Sequence, residues 1–417
     1  MAFSAKFGTL QTGTGTTDIV SGSLGFTPKA VILWCAKVGA THPFGLSFGA
    51  FTAATERACA SIYGRNGVTT TDTARIIRDD AVVMTFATTG TVDGLLDAVS
   101  LDADTITVIP DDAFGADEVV HFLALGGDDL TNAKAGTFTL GGTVTTQDVT
   151  GVGFTPDCVL IFGSGTVANT IATGGFLAIG VGVSATERGS IGGGTQDNVA
   201  DTASRSIVTS DLVFPRVGQA GTDVLSAEVD YNGGITDGFQ LDITVTDGST
   251  PVVGYLALKG PQFKLVETAM VVGTTDQVVT GVGFTPKALF IMAHPPATAS
   301  EASTPAAHLE MAIGAATGTG AGDQGYMWIA DEDALASSDN FSKQATGRAI
   351  GDKDKETGGT DEGDMILTAF GADGFTLDQD TAAGQATFLL ALAMGDAAAG
   401  GAVGQSTSNR TTRRRRR

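Results

Sequence analysis

Positive charge is scarce in this chain, and so are most of the residues that carry chemistry. Its 417 residues hold 24 Lys+Arg against 46 Asp+Glu, with three cysteines, four histidines and two tryptophans. Six of the cations, Arg410, Arg413, Arg414, Arg415, Arg416 and Arg417, sit in a terminal stretch from 399 to 417 that has no acid; the other 18 face all 46 acids, so the body carries −28. A body of that charge repels nucleic acid and stays soluble by self-repulsion. Cys35, Cys59 and Cys158 are odd in number and lack CxxC spacing, which excludes a disulfide framework and a zinc ribbon. Cys35 and Cys158 lie in apolar runs and read as small core residues. No apolar stretch is long enough for a membrane span, and the first residues lack a basic segment followed by an apolar run, so neither a span nor a secretion signal is expected.

Helical periodicity is also nearly absent. Glycine is plentiful, at 58 residues, and hydrophobic residues make up 42% against 17% charged. That is too apolar for a disordered chain and too broken by glycine for a helical one. Short apolar segments recur at roughly 10 to 15 residues, separated by Gly, Thr, Asp and Asn, the spacing of antiparallel sandwiches.

The chain repeats itself three times. Gly25-Phe26-Thr27-Pro28, with an apolar run behind it, returns as Gly153-Phe154-Thr155-Pro156 and as Gly283-Phe284-Thr285-Pro286. Upstream, Thr16-Thr17-Asp18-Ile19-Val20 parallels Thr145 to Val149 and Thr274 to Val279; downstream, Leu46-Ser47-Phe48-Gly49 parallels Leu177-Ala178-Ile179-Gly180 and Met311-Ala312-Ile313-Gly314. Each copy closes on an apolar strand, Phe122 to Gly126, Tyr255 to Lys259 and Leu389 to Ala393. Proline fixes its own φ and extends the residue before it, glycine permits the bend, and the Phe is expected to plug the end of a sandwich core. The expectation is an all-β chain of three tandem antiparallel β-sandwiches, jelly-roll-like, over 1–131, 132–265 and 266–398, followed by a flexible linker and Arg-rich tail over 399–417. Each copy is large enough for its own core, and the three are expected to pack as a rod or as a pseudo-threefold cluster.

Candidate chemistry is thin. Gly45-Leu46-Ser47-Phe48-Gly49 matches the G-x-S-x-G elbow, but Ser47 aligns with Ala178 and Ala312 and no helix pattern follows, so it reads as a strand position. His42 and His294 stand beside proline and are expected to be exposed; His121 precedes a closing strand and is expected to be partly buried; no metal spacing links them to His308. Acids cluster at 352–364 and around Asp102, Asp104, Asp111 and Asp112, without a calcium-loop pattern, and read as solvated loops. Gly192 to Gly194 and Gly318 to Gly322 lack the residues that cradle phosphate and read as loop tips. Tyr326 and Trp328 are the best candidates for an exposed aromatic pair that binds a receptor. No enzyme activity, cofactor or metal is expected.

The tandem Gly-, Thr- and Ala-rich units with their Gly-Phe-Thr-Pro runs resemble virion proteins of tailed bacteriophages and archaeal viruses. The resemblance implies a place on the particle exterior, as decoration, turret, spike or tail fibre, in a homo-oligomer with a trimer favoured. Arg410, Arg413, Arg414, Arg415, Arg416 and Arg417 are then expected to anchor the chain to an acidic virion neighbour, since guanidinium groups pair with carboxylates in bidentate fashion; packaged nucleic acid is the second candidate for the tail. The alternative function is a carbohydrate- or receptor-binding adhesin.

Overall fold

The structure is a computed structural model that describes residues 2–37, 44–218, 225–294, 305–354, 360–384 and 386–398, without the side chains of 353–362. Its first unit runs β1 (Phe3–Gln11), β2 (Ile19–Val20), β3 (Pro28–Ala36), β4 (Phe44–Ala53), β5 (Glu56–Gly64), β6 (Thr73–Arg78), β7 (Val83–Thr88), β8 (Thr91–Leu101), β9 (Ile106–Asp112) and β10 (Val119–Gly127). A large sheet, ordered β1-β10-β3-β4-β5-β6, lies over a small one, ordered β2-β9-β8-β7. The outer strands interleave between sheets as in a jelly roll, with β10 between β1 and β3 and β9 beside β2; β3 to β6 and β7 to β9 are plain meanders. The same pair of sheets recurs twice further along the chain, so the fold is three tandem antiparallel β-sandwiches.

Strand periodicity divides β3 between two cores. Ala30, Ile32, Trp34 and Ala36 enter a central cluster built from all three units, whereas Val31, Leu33 and Cys35 enter the core of their own sandwich. The equivalent strands do likewise: Leu160 and Phe162 face the centre and Val159 and Ile161 do not, as Phe290 and Met292 do and Leu289 and Ile291 do not. Aromatic rings tie the units at the centre, Phe48 to Phe162 at 5.2 Å and to Phe290 at 5.8 Å between centroids. The units therefore form the pseudo-threefold cluster rather than the rod. Each sandwich keeps a core of its own, but the largest core is shared. Burial on both faces explains the unbroken apolar runs, which a sheet with one wet face would replace by alternation.

At one end of the strands the units interlock by a device used three times. The N–H of Thr71 donates to Val199 O (2.9 Å), its C=O accepts from Asn198 N (2.9 Å), and its hydroxyl accepts from Val199 N (3.0 Å). Thr202 makes the same three bonds with Leu335 and Ala334, and Ser338 makes them with Val68 and Gly67, which closes the ring back onto the first unit. The residues that turn the three loops, Gly67, Asn198 and Ala334, all have positive φ, from 57° to 70°. A further bond locks each loop: Asp197 Oδ1 accepts from Thr73 N (2.8 Å), Asp333 Oδ1 from Ser204 N (2.9 Å) and Asn66 Oδ1 from Asn340 N (3.1 Å). Alongside, Ala172–Thr173 pairs with β6 and Ala306–Ala307 pairs with Ser204–Thr209, so two large sheets borrow an edge strand from the next unit. Such pairing covers edges that would otherwise template aggregation.

The Gly-Phe-Thr-Pro corners lie at the opposite end, where β3 begins. Gly25, Gly153 and Gly283 adopt φ of 80°, 90° and 88°, a region open to glycine. One aspartate clamps each corner. Asp237 accepts from Gly153 N (2.6 Å) and Gly151 N (3.1 Å), Asp373 accepts from Gly283 N (2.6 Å) and Gly281 N (3.1 Å), and Asp104 accepts from Gly25 N. Phe26, Phe154 and Phe284 are half-buried against the ends of their own sandwich cores.

Two readings of the sequence need correction. Gly192 to Gly194 are not a loop tip; they lie inside the buried strand Glu187–Thr195. In the third copy Met394 pairs with Ala288 where Leu125 pairs with Ala30 and Leu258 with Cys158, so the closing strand is two residues further on than the apolar pattern suggested. A slip of two keeps every side chain on its face, which hid it.

The third repeat anchor has a steric cause. A Cβ on Gly49, Gly180 or Gly314 would stand 2.2, 2.0 or 1.9 Å from the carbonyl of Val82, Val213 or Ala349, where the chain enters the small sheet. Alanine at Gly314 should cost about 3 kcal/mol or more by forcing the sheets apart, whereas Gly322→Ala, in open space, should stay within about 0.5 kcal/mol; urea unfolding midpoints of the two variants test the difference.

Candidate functional site

The structure buries most of the residues that the sequence offered for chemistry. Ser47 is 1% exposed in β4, and its Oγ accepts from Ser61 Oγ (2.9 Å) and Met84 N (3.1 Å). None of the described histidines bonds to it, and the elbow match is a packing position. Tyr326 and Trp328, expected at the surface, are 0% and 1% exposed. Both sit on Gln324–Asp331, an inner strand of a sheet covered on both faces, and both point into the third sandwich; Tyr326 OH donates to Asp364 Oδ1 (2.7 Å). They present no surface to a receptor.

Of the acidic stretch at 352–364, the described residues belong to a strand pair rather than a solvated loop, Ile350–Asp354 against Thr360–Gly371, and 355–359 lie outside the described residues. Asp352 and Asp364 are buried, and Thr387 Oγ1 donates to Asp352 Oδ2 (2.5 Å). In the other cluster Asp102, Asp111 and Asp112 are exposed, and Asp104 serves the first corner. The Ser23 hydroxyl and the backbone N–H of Gly25 hold the Asp104 carboxyl below the usual range.

Two histidines that are 14 residues apart in sequence converge on the junction of the second and third units. His294, expected in an exposed loop, ends a central strand and is 1% exposed. Its Nε2 lies 2.6 Å from Ser206 Oγ, across the junction. The same Oγ donates to His308 O (2.7 Å) and accepts from Glu310 N (3.1 Å). The one hydroxyl proton is thus committed to a carbonyl, and the contact with His294 is filled by the ring N–H. A serine so arranged has no base and no access to substrate. Nearby, Arg205 Nη1 pairs with Asp333 Oδ2 (2.5 Å), and Asp331 Oδ2 accepts from Thr195 Oγ1 (2.7 Å) and Ser204 Oγ. The junction is therefore polar and titratable. Sequence reasoning missed it because His294 and Glu310 have no counterparts of their kind in the other copies, and Ser206 has one only in Ser342.

His121 is buried more deeply than expected, at 1% exposure, edge-on to Phe7 and Trp34 in the shared core. Farther out, a polar groove between the second and third units is lined by Arg188, Ser210, Glu267 and the pair Lys264–Glu187 (3.0 Å). Glu187 Oε1 also accepts from Leu265 N (2.7 Å), so this groove is a bonded joint. His42 and the expected anchoring residues Arg410, Arg413, Arg414, Arg415, Arg416 and Arg417 lie outside the described residues. Among the described residues no group of three or more His, Cys, Asp or Glu is placed to hold a metal ion, and no helix is long and apolar enough to cross a membrane.

No family model matches the chain, and no curated protein matches it.

Burial lowers His121 and His294 to about 3 each, from the ordinary 6.5. Both are neutral in the folded chain, so the stability they confer is complete above about pH 6.5 and is lost progressively as pH falls from there toward 3, because only the unfolded chain takes up the protons. His294→Gln should flatten that part of the profile, read from urea unfolding at pH 7, 5 and 4; an unchanged slope would remove His294 from the account.

Proposed function

We propose that this chain is a non-enzymatic structural protein of a virus particle, displayed on the exterior and held in part by its C-terminal arginines. The observation that supports this reading most is the closed threefold body. Among the described residues the three sandwiches consume many of their polar groups in one another, expose no aromatic pair and offer no serviceable nucleophile, which suits a rigid displayed scaffold better than a catalyst. A pseudo-threefold chain also matches a threefold position in a shell, while further copies array by the symmetry of the particle.

The acidic body and the basic tail divide the work in this reading. The last described residues are pinned at the corner end, where Asp396 Oδ1 accepts from Phe3 N (2.8 Å) and pairs with Lys287 (2.6 Å), and Asp129 Oδ2 accepts from Ala397 N (2.9 Å). The last described residues before the arginines thus lie at the end opposite the interlock. An acidic protein neighbour is the partner their chemistry fits best, and phosphate is the second choice. The adhesin reading rested on Tyr326 and Trp328, and their burial leaves it without named residues.

Deleting Arg413, Arg414, Arg415, Arg416 and Arg417 together should leave the melting transition and circular dichroism unchanged while abolishing incorporation into particles, measured by co-sedimentation with purified shells. Normal incorporation of the truncated chain would refute anchoring by the tail.

A further inference from the structure

Directly beneath the interlock, three cross-strand pairs occupy the same position in the three large sheets: Gly64 with Thr73, Thr195 with Ser204, and Asp331 with Asn340. The side-chain-bearing members are 0 to 2% exposed. The pairs meet across the unit boundaries. Thr195 Oγ1 and Ser204 Oγ both donate to Asp331 Oδ2, and the Asn340 amide fills the space beside Gly64, whose Cβ would stand 2.8 Å from Asn340 Nδ2. The backbone N–H of Thr73, of Ser204 and of Asn340 is the one each interlocking loop grips, so the layer is closed over by the ring.

Oxygen is in excess here. Asp331 Oδ1, Asn340 Oδ1 and Thr73 Oγ1 are all buried without a hydrogen-bond partner, and no cation pairs with Asp331 among the described residues. Leaving a buried carboxylate oxygen bare is unfavourable, and three bare oxygens in one layer compound the cost. Arg205, which follows Ser204 in the same strand, is engaged with Asp333. Donors are what the layer lacks.

We propose that this layer is a binding site for one hard, calcium-class cation, held by Asp331, Asn340 and Thr73 with the hydroxyls of Thr195 and Ser204 at its margin. The donor set is all oxygen, without the imidazole or thiolate that would select zinc or copper. Calcium accepts irregular sets of carboxylate, amide and hydroxyl oxygens, whereas magnesium demands near-octahedral geometry and keeps its water. A cation here would join all three units at the point where their loops interlock. The competing occupant is a proton: burial raises Asp331 to about 6, with Asp333 and Asp339 adding to the rise and the Ser204 and Thr195 hydroxyls opposing it. A protonated Asp331 would supply this layer with one donor without metal.

The test uses the full chain, stripped with a chelator and dialysed into choline chloride at pH 7.5, titrated with calcium chloride by calorimetry and followed by its melting temperature. One calcium per chain should bind, the melting temperature should rise by several degrees, and magnesium should act at least tenfold more weakly. Asp331→Asn should weaken calcium binding at least tenfold, and so should Thr73→Val, an isosteric change that removes one oxygen and keeps the strand, whereas Asp111→Asn, on an exposed acid, should not. No response of the stripped chain to calcium would overturn the proposal and leave the layer to a proton; a calcium response that survives both Asp331→Asn and Thr73→Val would place the ion elsewhere and overturn it equally.

Discussion

Burial of the large sheets on both faces is the constraint on which everything else in this molecule rests. A sheet with one wet face can stand alone with its small partner; a sheet whose second face carries Ile32, Trp34, Phe162 and Phe290 cannot. The three units must therefore meet, and their meeting needs small residues where strands approach, hence Gly193 against Leu309 and Gly325 against Phe7. It also needs the loops at one end to find partners, hence the ring of Thr71, Thr202 and Ser338. Apolar burial supplies the drive and the hydrogen-bonded ring supplies the register.

Much of this was legible in the sequence. The corner motif fixed the number of copies, because a glycine at positive φ before Phe-Thr-Pro solves one geometric problem in the same way three times. The partner of that corner was not legible, because Asp104, Asp237 and Asp373 clamp it from 79 to 90 residues away. The interlock has its own signature, Asn66-Gly67-Val68 with Thr71, Asp197-Asn198-Val199 with Thr202, and Asp333-Ala334-Leu335 with Ser338. It escaped notice because its members vary within a polar class and its bonds join different copies.

What sequence could not give was the second face. Strand periodicity shows that two sides differ, and when both are apolar it is silent about what covers each. Tyr326 and Trp328 therefore looked like surface aromatics beside a glycine-rich loop, His294 looked like a loop residue because proline follows it, and Asp352 and Asp364 looked solvated because acids usually are. In each case tertiary burial overrode a residue-type preference. The polar junction around Ser206 was hidden for a related reason: its members are ordinary one by one and acquire meaning by converging from two units.

Covalent linkage of the three copies permits something that a ring of identical chains forbids. In a homotrimer any residue near the axis appears three times, so one aspartate there would mean three carboxylates crowded together. Here the same position carries Gly64, Thr195 and Asp331, and its cross-strand neighbours are Thr73, Ser204 and Asn340. The skeleton is symmetric and its contents are not. Gene-level divergence can thus tune charge, size and donor chemistry at the centre of the molecule one third at a time, leaving the scaffold that presents them undisturbed.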